Sequence, residues 1–142
     1  MAHPQPAYHY KVDWGGNNIG FSEVSGLNIY IDLLSYRDGS SPEYSPAQMP
    51  GMVHFSNIVL RRGIMKGDND FFKWMNTQQL NTIERRDITI SLIDQSHAPV
   101  VVWRVRNAFP VRYSGPVLHA NSSHIAMEEL ELAHEGITVE YE

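Results

Sequence analysis

Cysteine is absent from the 142 residues, which removes disulfides, thiolate metal sites and a cysteine nucleophile together and fits folding in a reducing compartment. An excess of positive charge is missing too. Eleven Lys and Arg stand against 16 Asp and Glu, and a net charge of −5 argues against a domain built to grip nucleic acid by its phosphates. The basic pairs Arg61-Arg62 and Arg85-Arg86 read as solvated strand ends or as part of a protein interface. There is no long apolar run, hence no membrane span, and the first residues, MAHPQPAYHY, have neither the basic start nor the apolar stretch of a Sec signal.

Signatures of chemistry are equally scarce. No glycine-rich phosphate loop is present, and no serine sits in a Gly-x-Ser-x-Gly elbow; Ser25, in Ser-Gly-Leu, is a turn residue. Seven histidines, at positions 3, 9, 54, 97, 119, 124 and 134, show no His-x-His pair and no helical spacing of three or four. His134-Glu135 is half of a zinc-protease motif without its second histidine. Asp68-Asn69-Asp70 lacks the glycine and the distant glutamate of a calcium loop, so helix capping explains it better. Glu128 and Glu129 point apart if their segment is extended, which is no catalytic dyad. The expectation is a non-enzyme with no catalytic residues, no metal and no cofactor.

What the chain does have is a strand, turn and helix in succession, from Phe55 to Gln79. β-Branched and aromatic residues run from Phe55 to Arg61, Arg61-Arg62-Gly63 stops them, and Asp68-Asn69-Asp70 opens a helix of roughly two to three turns. Phe71, Trp74 and Met75 are its packing residues. So short a helix is marginal in water, so a sheet must cover those aromatics.

Strand patterns supply the sheet. Tyr8, Tyr10, Val12 and Trp14 alternate with polar residues, Gly15 to Asn18 turns the chain, and Ile19–Gly26 is a short edge segment. Leu27 to Tyr36 alternates through Leu27, Ile29, Ile31 and Leu33. Arg85–Gln95 and Val100–Asn107 form an antiparallel hairpin, and Ile137–Tyr141 is a final strand. From Ala126 to Ala133 propensity favours helix while neither period is clean, and residues alone do not decide. Ser40–Val53 holds Pro42, Pro46 and Pro50 and reads as an irregular loop, yet it carries Tyr44, Met49 and Met52, apolar side chains that seek a second surface such as another copy. The fold class is mainly β, of the α+β kind: an antiparallel β-barrel or sandwich with one packed α-helix.

Several of these segments, in order, resemble the tail-tube proteins of contractile phage tails and extracellular contractile injection systems. They are Gly20-Phe21-Ser22-Glu23-Val24-Ser25-Gly26-Leu27, Tyr36-Arg37-Asp38-Gly39, Pro50-Gly51 and Leu60-Arg61-Arg62-Gly63-Ile64. Further along come the helix with Trp74, Arg85-Arg86-Asp87-Ile88, Asn107-Ala108-Phe109-Pro110 and Glu128 to Gly136. The family often has Trp where Phe109 stands, a change that keeps an aromatic. The resemblance implies one tail-tube domain over residues 1–142, with 1–7 a loose arm and the C-terminal segment extended. It also implies that 40–53 is a loop between subunits, with Tyr36, Arg37, Asp38, Gly39, Tyr44, Met49, Pro50, Gly51 and Met52 at the interface. Six copies would close into a ring and rings would stack into a hollow tube, assembled in the bacterial cytoplasm without a signal peptide. The implied partners are sheath, baseplate, tube-terminator and tape-measure proteins and a lumenal cargo of protein or DNA. Three alternatives stay open: a secreted hexameric cargo carrier of the type VI kind, an initiator ring at the baseplate, and a monomeric ligand-binding barrel.

Overall fold

A computed structural model describes residues 4–16, 20–36, 39–40, 47–78, 82–121 and 123–142. The elements are β1 (Tyr10–Asp13), β2 (Glu23–Ser25), β3 (Ile29–Tyr36), β4 (Ala47–Phe55), β5 (Ile58–Gly63), α1 (Asp70–Met75), β6 (Arg86–Ile93), β7 (Pro99–Ser114), β8 (Met127–Ala133) and β9 (Gly136–Tyr141). All strand pairs are antiparallel.

Two long ribbons account for most of these strands. In the first, Glu23 lies opposite Arg61 and Ser25 opposite Val59, and the same register continues with Ile29 opposite Phe55 and Ile31 opposite Val53. β2 and β3 are therefore one arm of a hairpin whose other arm is β4 and β5. In the second, β7 runs beside β9 and then β8, from Val101 opposite Tyr141 through Arg106 opposite Gly136 to Phe109 opposite Ala133. β7 bends where Asn107 takes a positive φ of 53°, a conformation that asparagine tolerates better than most residues. Asp87 accepts the Asn107 backbone N–H at 3.0 Å, and the Asn107 side chain donates to Glu135 at 2.8 Å.

The strands follow one another as β1, β6, β7, β8, β5 and β2, with β9 also paired to β7. β1 and β2, the two ends of that path, are not paired, so the barrel stays open there. The Tyr10 hydroxyl crosses the gap, donating to the Phe21 carbonyl at 2.7 Å. Alternate residues fill the interior: Val12, Ile58, Leu60, Ile88, Ile90, Val105, Leu130, Leu132 and Ile137 are all buried.

α1 is shorter than the two to three turns expected, six residues in all. Asp68, one position before the cap residue Asn69, accepts the Asp70 N–H at 3.2 Å, while the Asn69 side chain makes no capping bond. Phe71 and Trp74, three apart on one face, are fully buried; Met75 is half-buried and Phe72 points outward. The Trp14 ring meets Phe71 edge-on at 5.1 Å and lies 6.0 Å from Trp74. The Trp74 indole N–H donates to the Glu84 carbonyl at 2.8 Å, which ties the helix to the residues just before β6.

The segment from Met127 to Ala133, which propensity would make helical, is strand β8. Glu128, Leu130 and Leu132 face inward and alternate with half-buried residues. The Arg62 Nε donates to Glu128 at 2.8 Å, its two terminal nitrogens bind the Asp68 carboxylate at 3.1 and 3.2 Å, and its guanidinium lies 4.1 Å from the Phe71 ring centre. The Tyr113 hydroxyl donates to the other Glu128 oxygen at 2.9 Å. Each charge in this buried group has a partner, which is the condition for burying it at tolerable cost.

Two expectations are corrected. The stretch 47–53 is not irregular: it belongs to β4, whose outer edge has no partner strand among the described residues, and an unpaired edge is where a strand accommodates proline such as Pro50. Nor do Ile29, Ile31 and Leu33 form an inward face, since all of β3 is exposed.

Candidate assembly surface

Beyond Gly26 the first ribbon leaves the barrel. Gly26 has a φ of +92°, and a Cβ there would overlap the Asn57 carbonyl oxygen, so only glycine lets the two arms pass this closely. Asn28 accepts the Ser56 N–H at 3.2 Å and fixes the exit. At about 3.3 Å per residue, the eight residues of β3 carry the tip roughly 25 Å onward.

The pleat sorts the side chains of this β3–β4 ribbon onto two faces, and both are apolar. One carries Tyr30, Leu34 and Tyr36 from β3 with Met49 and Met52 from β4. The other carries Ile29, Ile31 and Leu33 with Val53. Leu33 is 68% exposed and Met52 72%, values that belong to side chains with nothing over them. A bulge at Asp32 opposite Gly51 and Met52 shifts the register by one residue. The polar groups of the ribbon satisfy one another: His54 Nε2 lies 2.6 Å from Asp32, the Tyr30 ring stacks on His54 at 5.3 Å, and the Ser35 hydroxyl donates to Gln48 at 3.0 Å.

Of the residues expected at a subunit interface, Tyr36, Met49, Pro50, Gly51 and Met52 lie on this ribbon, and Gly39 lies in a turn at its tip. Arg37, Asp38 and Tyr44 fall outside the described residues. Phe71 and Trp74 sit in the core of the same protomer, and Met75 is half-buried. Ile29, Tyr30, Ile31, Leu33 and Leu34, exposed on the same ribbon, were not among the residues expected there. Their signal is that both parities of Ile29–Tyr36 are apolar, which a strand with one wet face does not show.

The body of the protein leaves further apolar side chains in water, notably Phe72, Val117, Leu118 and Ile125. An open cavity of about 720 Å³ between the 114–125 segment and β8 is lined by Arg61, His119, His124 and Glu129 among others. Among the described residues no three His, Asp or Glu side chains converge on a metal position, and no helix is long and apolar enough to cross a membrane.

Comparison with known proteins bears on what such a ribbon does. Residues 6–138 match the family model of the T4-like virus tail tube protein gp19. A solved chain from the sheath–tube complex of PVC, an extracellular contractile injection system in its extended state, is 37% identical, with a TM-score of 0.89 over 98% of this chain and 93% of that one. A chain of the anti-feeding prophage tube-terminating cap is 34% identical, with a TM-score of 0.91 over 100% and 94%. Likeness in fold alone extends to Hcp1 from Flavobacterium johnsoniae, at 20% identity and a TM-score of 0.58 over 93% and 94%. No curated protein sequence matches. An open antiparallel barrel with one helix, an apolar ribbon reaching out of it and a family match over nearly the whole length agree: the chain belongs to the T4-like virus tail tube protein family, the tube proteins of phage tails and contractile injection systems.

Proposed function

We propose that six copies of this chain close into a ring and that rings stack into the hollow inner tube of a contractile injection machine. The observation that carries the reading is the two-faced apolar ribbon of β3 and β4, whose side chains are exposed along both faces. Isolated two-stranded ribbons are marginal in water, so this one is stable only when other subunits cover it. Ring closure pairs edges that would otherwise be open to aggregation, and stacking repeats one heterologous contact along the tube. A sheath surrounds the tube, a baseplate starts it, a terminator ends it and a tape-measure protein sets its length. Protein or DNA passes through the lumen. The work is mechanical, with no catalytic step and no cofactor.

The test is electron microscopy of the purified protein beside a variant lacking Pro42 to Gly51. The full chain is expected to give tubes, and the shortened chain a folded protomer without them. A full chain that stays monomeric by light scattering overturns the proposal, and one that stops at single rings favours a ring-shaped carrier instead. Long tubes from the shortened chain remove the ribbon from the contact.

A further inference from the structure

Asp32 and His54 are the only side chains of the β3–β4 ribbon, among the described residues, that can carry charge near neutral pH; its other titratable groups are the phenols of Tyr30 and Tyr36. Asp32 reaches diagonally across the two strands, and His54 Nε2 lies 2.6 Å from its carboxylate. Tyr30 stacks on the imidazole, with ring centres 5.3 Å apart and planes 24° from parallel. Leu34, Met49 and Met52 share this face, so an ion pair is set into an apolar surface. In the protomer the two side chains are 39% and 51% exposed, and water carries whatever charge they hold. Resting on the tube reading, which covers this face, we infer that the pair is a proton-linked latch: assembly takes up a proton at His54, and mildly alkaline solution loosens the tube.

The charge balance of the pair decides the direction. With a neutral imidazole the pair keeps the full negative charge of Asp32; with a charged one its net charge is zero. Covering the face strips water from both groups, and a lone carboxylate in an apolar contact is far costlier than a compensated pair. Nε2–H donates to Asp32 in either state, so the proton taken up sits on Nδ1. The face of the Tyr30 ring favours the charged imidazole as well. The titratable groups at the base of the ribbon are engaged elsewhere. His134 donates to the Ser56 carbonyl and packs on Phe55, whose side chain points away from that of His54, and Glu131 accepts from Asn57.

Assembly thus favours the protonated pair. Its contribution is full in mildly acidic solution, where a free imidazole already holds the proton, and is lost as pH rises past neutrality. One proton taken up per subunit raises the concentration left unassembled by up to about tenfold per pH unit in that range.

The test is the concentration of unassembled protein, measured by sedimentation from about pH 6 to about pH 9 at constant ionic strength. Enough urea is added to keep tubes and folded free protomers both present. For the parent chain that concentration should rise with pH. His54→Gln should flatten the dependence. Asp32→Asn should remove the alkaline rise and reverse the trend at the acid end, because a charged imidazole then has no counter-charge and assembly must expel its proton. Asp32→Asn combined with His54→Gln keeps a hydrogen bond without charge, so tubes should form equally well across the range. Both positions are partly exposed in the protomer, so the variants should melt as the parent does. Independently of any variant, assembly of the parent in weakly buffered solution at about pH 8 should raise the pH.

Tubes of the parent whose free concentration is constant across the range, or falls as pH rises, overturn the latch and leave the tube standing. So does an unchanged slope in His54→Gln, in Asp32→Asn or in the double variant, which would place the titrating group elsewhere. If the parent forms no tubes at any pH, the tube reading fails and the latch with it.

Discussion

Glu128 and Arg62 meet in the interior at 2.8 Å, carried on paired positions of β8 and β5. The contact fastens β8 to the first ribbon and, through Asp68, to the entrance of α1. Removing the guanidinium leaves two buried carboxylates, Glu128 and Asp68, without their shared counter-charge. Arg62→Met should therefore cost about 3 to 5 kcal/mol, the range for breaking a buried ion pair from one side, read as a lower urea midpoint. A midpoint within error of the parent would mean that water reaches this group freely.

The same cluster predicts an alkaline transition. Burial, with the bond to Glu128 next, raises the Tyr113 hydroxyl above the ordinary 10.0, and burial with the nearby Glu23 charge raises Tyr10. A folded pKa above the unfolded one means that the protonated phenol is favoured in the fold. This stabilisation is complete below about pH 10 and is lost as pH rises through the folded value. Stability measured from pH 8 to 11 should fall at the top of that window, and Tyr113→Phe and Tyr10→Phe together should flatten the fall.

Trp74 is inaccessible to solvent and holds the Glu84 carbonyl, so Trp74→Ala removes a large core side chain and a hydrogen bond together. The expected loss is about 3 to 5 kcal/mol. Assembly should fail first, with thermal denaturation confirming the weakened protomer. Tube formation at unaltered stability would take the indole out of the core.

At Gly26 the obstacle is backbone. Gly26→Ala forces a side chain into φ +92° and against the Asn57 carbonyl, and strain of this kind costs about 1 to 3 kcal/mol before the overlap is counted. The variant should melt lower, and the ribbon should lose its fixed direction, visible as rings or fragments in place of tubes.

A substitution at the ribbon should behave in the opposite way. Leu33 is largely exposed and lies outside the core, so with Leu33→Glu folding stability should stay within about 0.5 kcal/mol of the parent. Tube formation should nevertheless be lost, as judged by sedimentation. A large fall in protomer stability would place Leu33 in a core contact.

Much of the barrel was legible because its strands alternate as half-buried strands do. Val12 and Trp14, Ile88 and Ile90, and Val101 and Val105 all fall on the inward side. β8 was not, because a carboxylate occupies an inward position: Glu128 breaks the apolar period, and only its distant partner Arg62 explains it. The ribbon was misread for a related reason. Ile29, Ile31 and Leu33 carry the pattern of an inner face, and a sequence records that a side chain will be covered without recording by which molecule. Pro50 suggested a loop because proline is excluded from paired strands, and an open edge relaxes that rule.

The hairpin that β2 and β3 form with β4 and β5 also sets how load enters the molecule. A pull on the ribbon tip runs along the strands, and it reaches the barrel across the six residue pairs that join β5 to β8 from Ile58 to Gly63. Those hydrogen bonds lie across the pull and are sheared side by side; none can be peeled ahead of the others. A joint loaded in that way yields only when the whole row gives, which suits a rod that must be pushed end-on without coming apart.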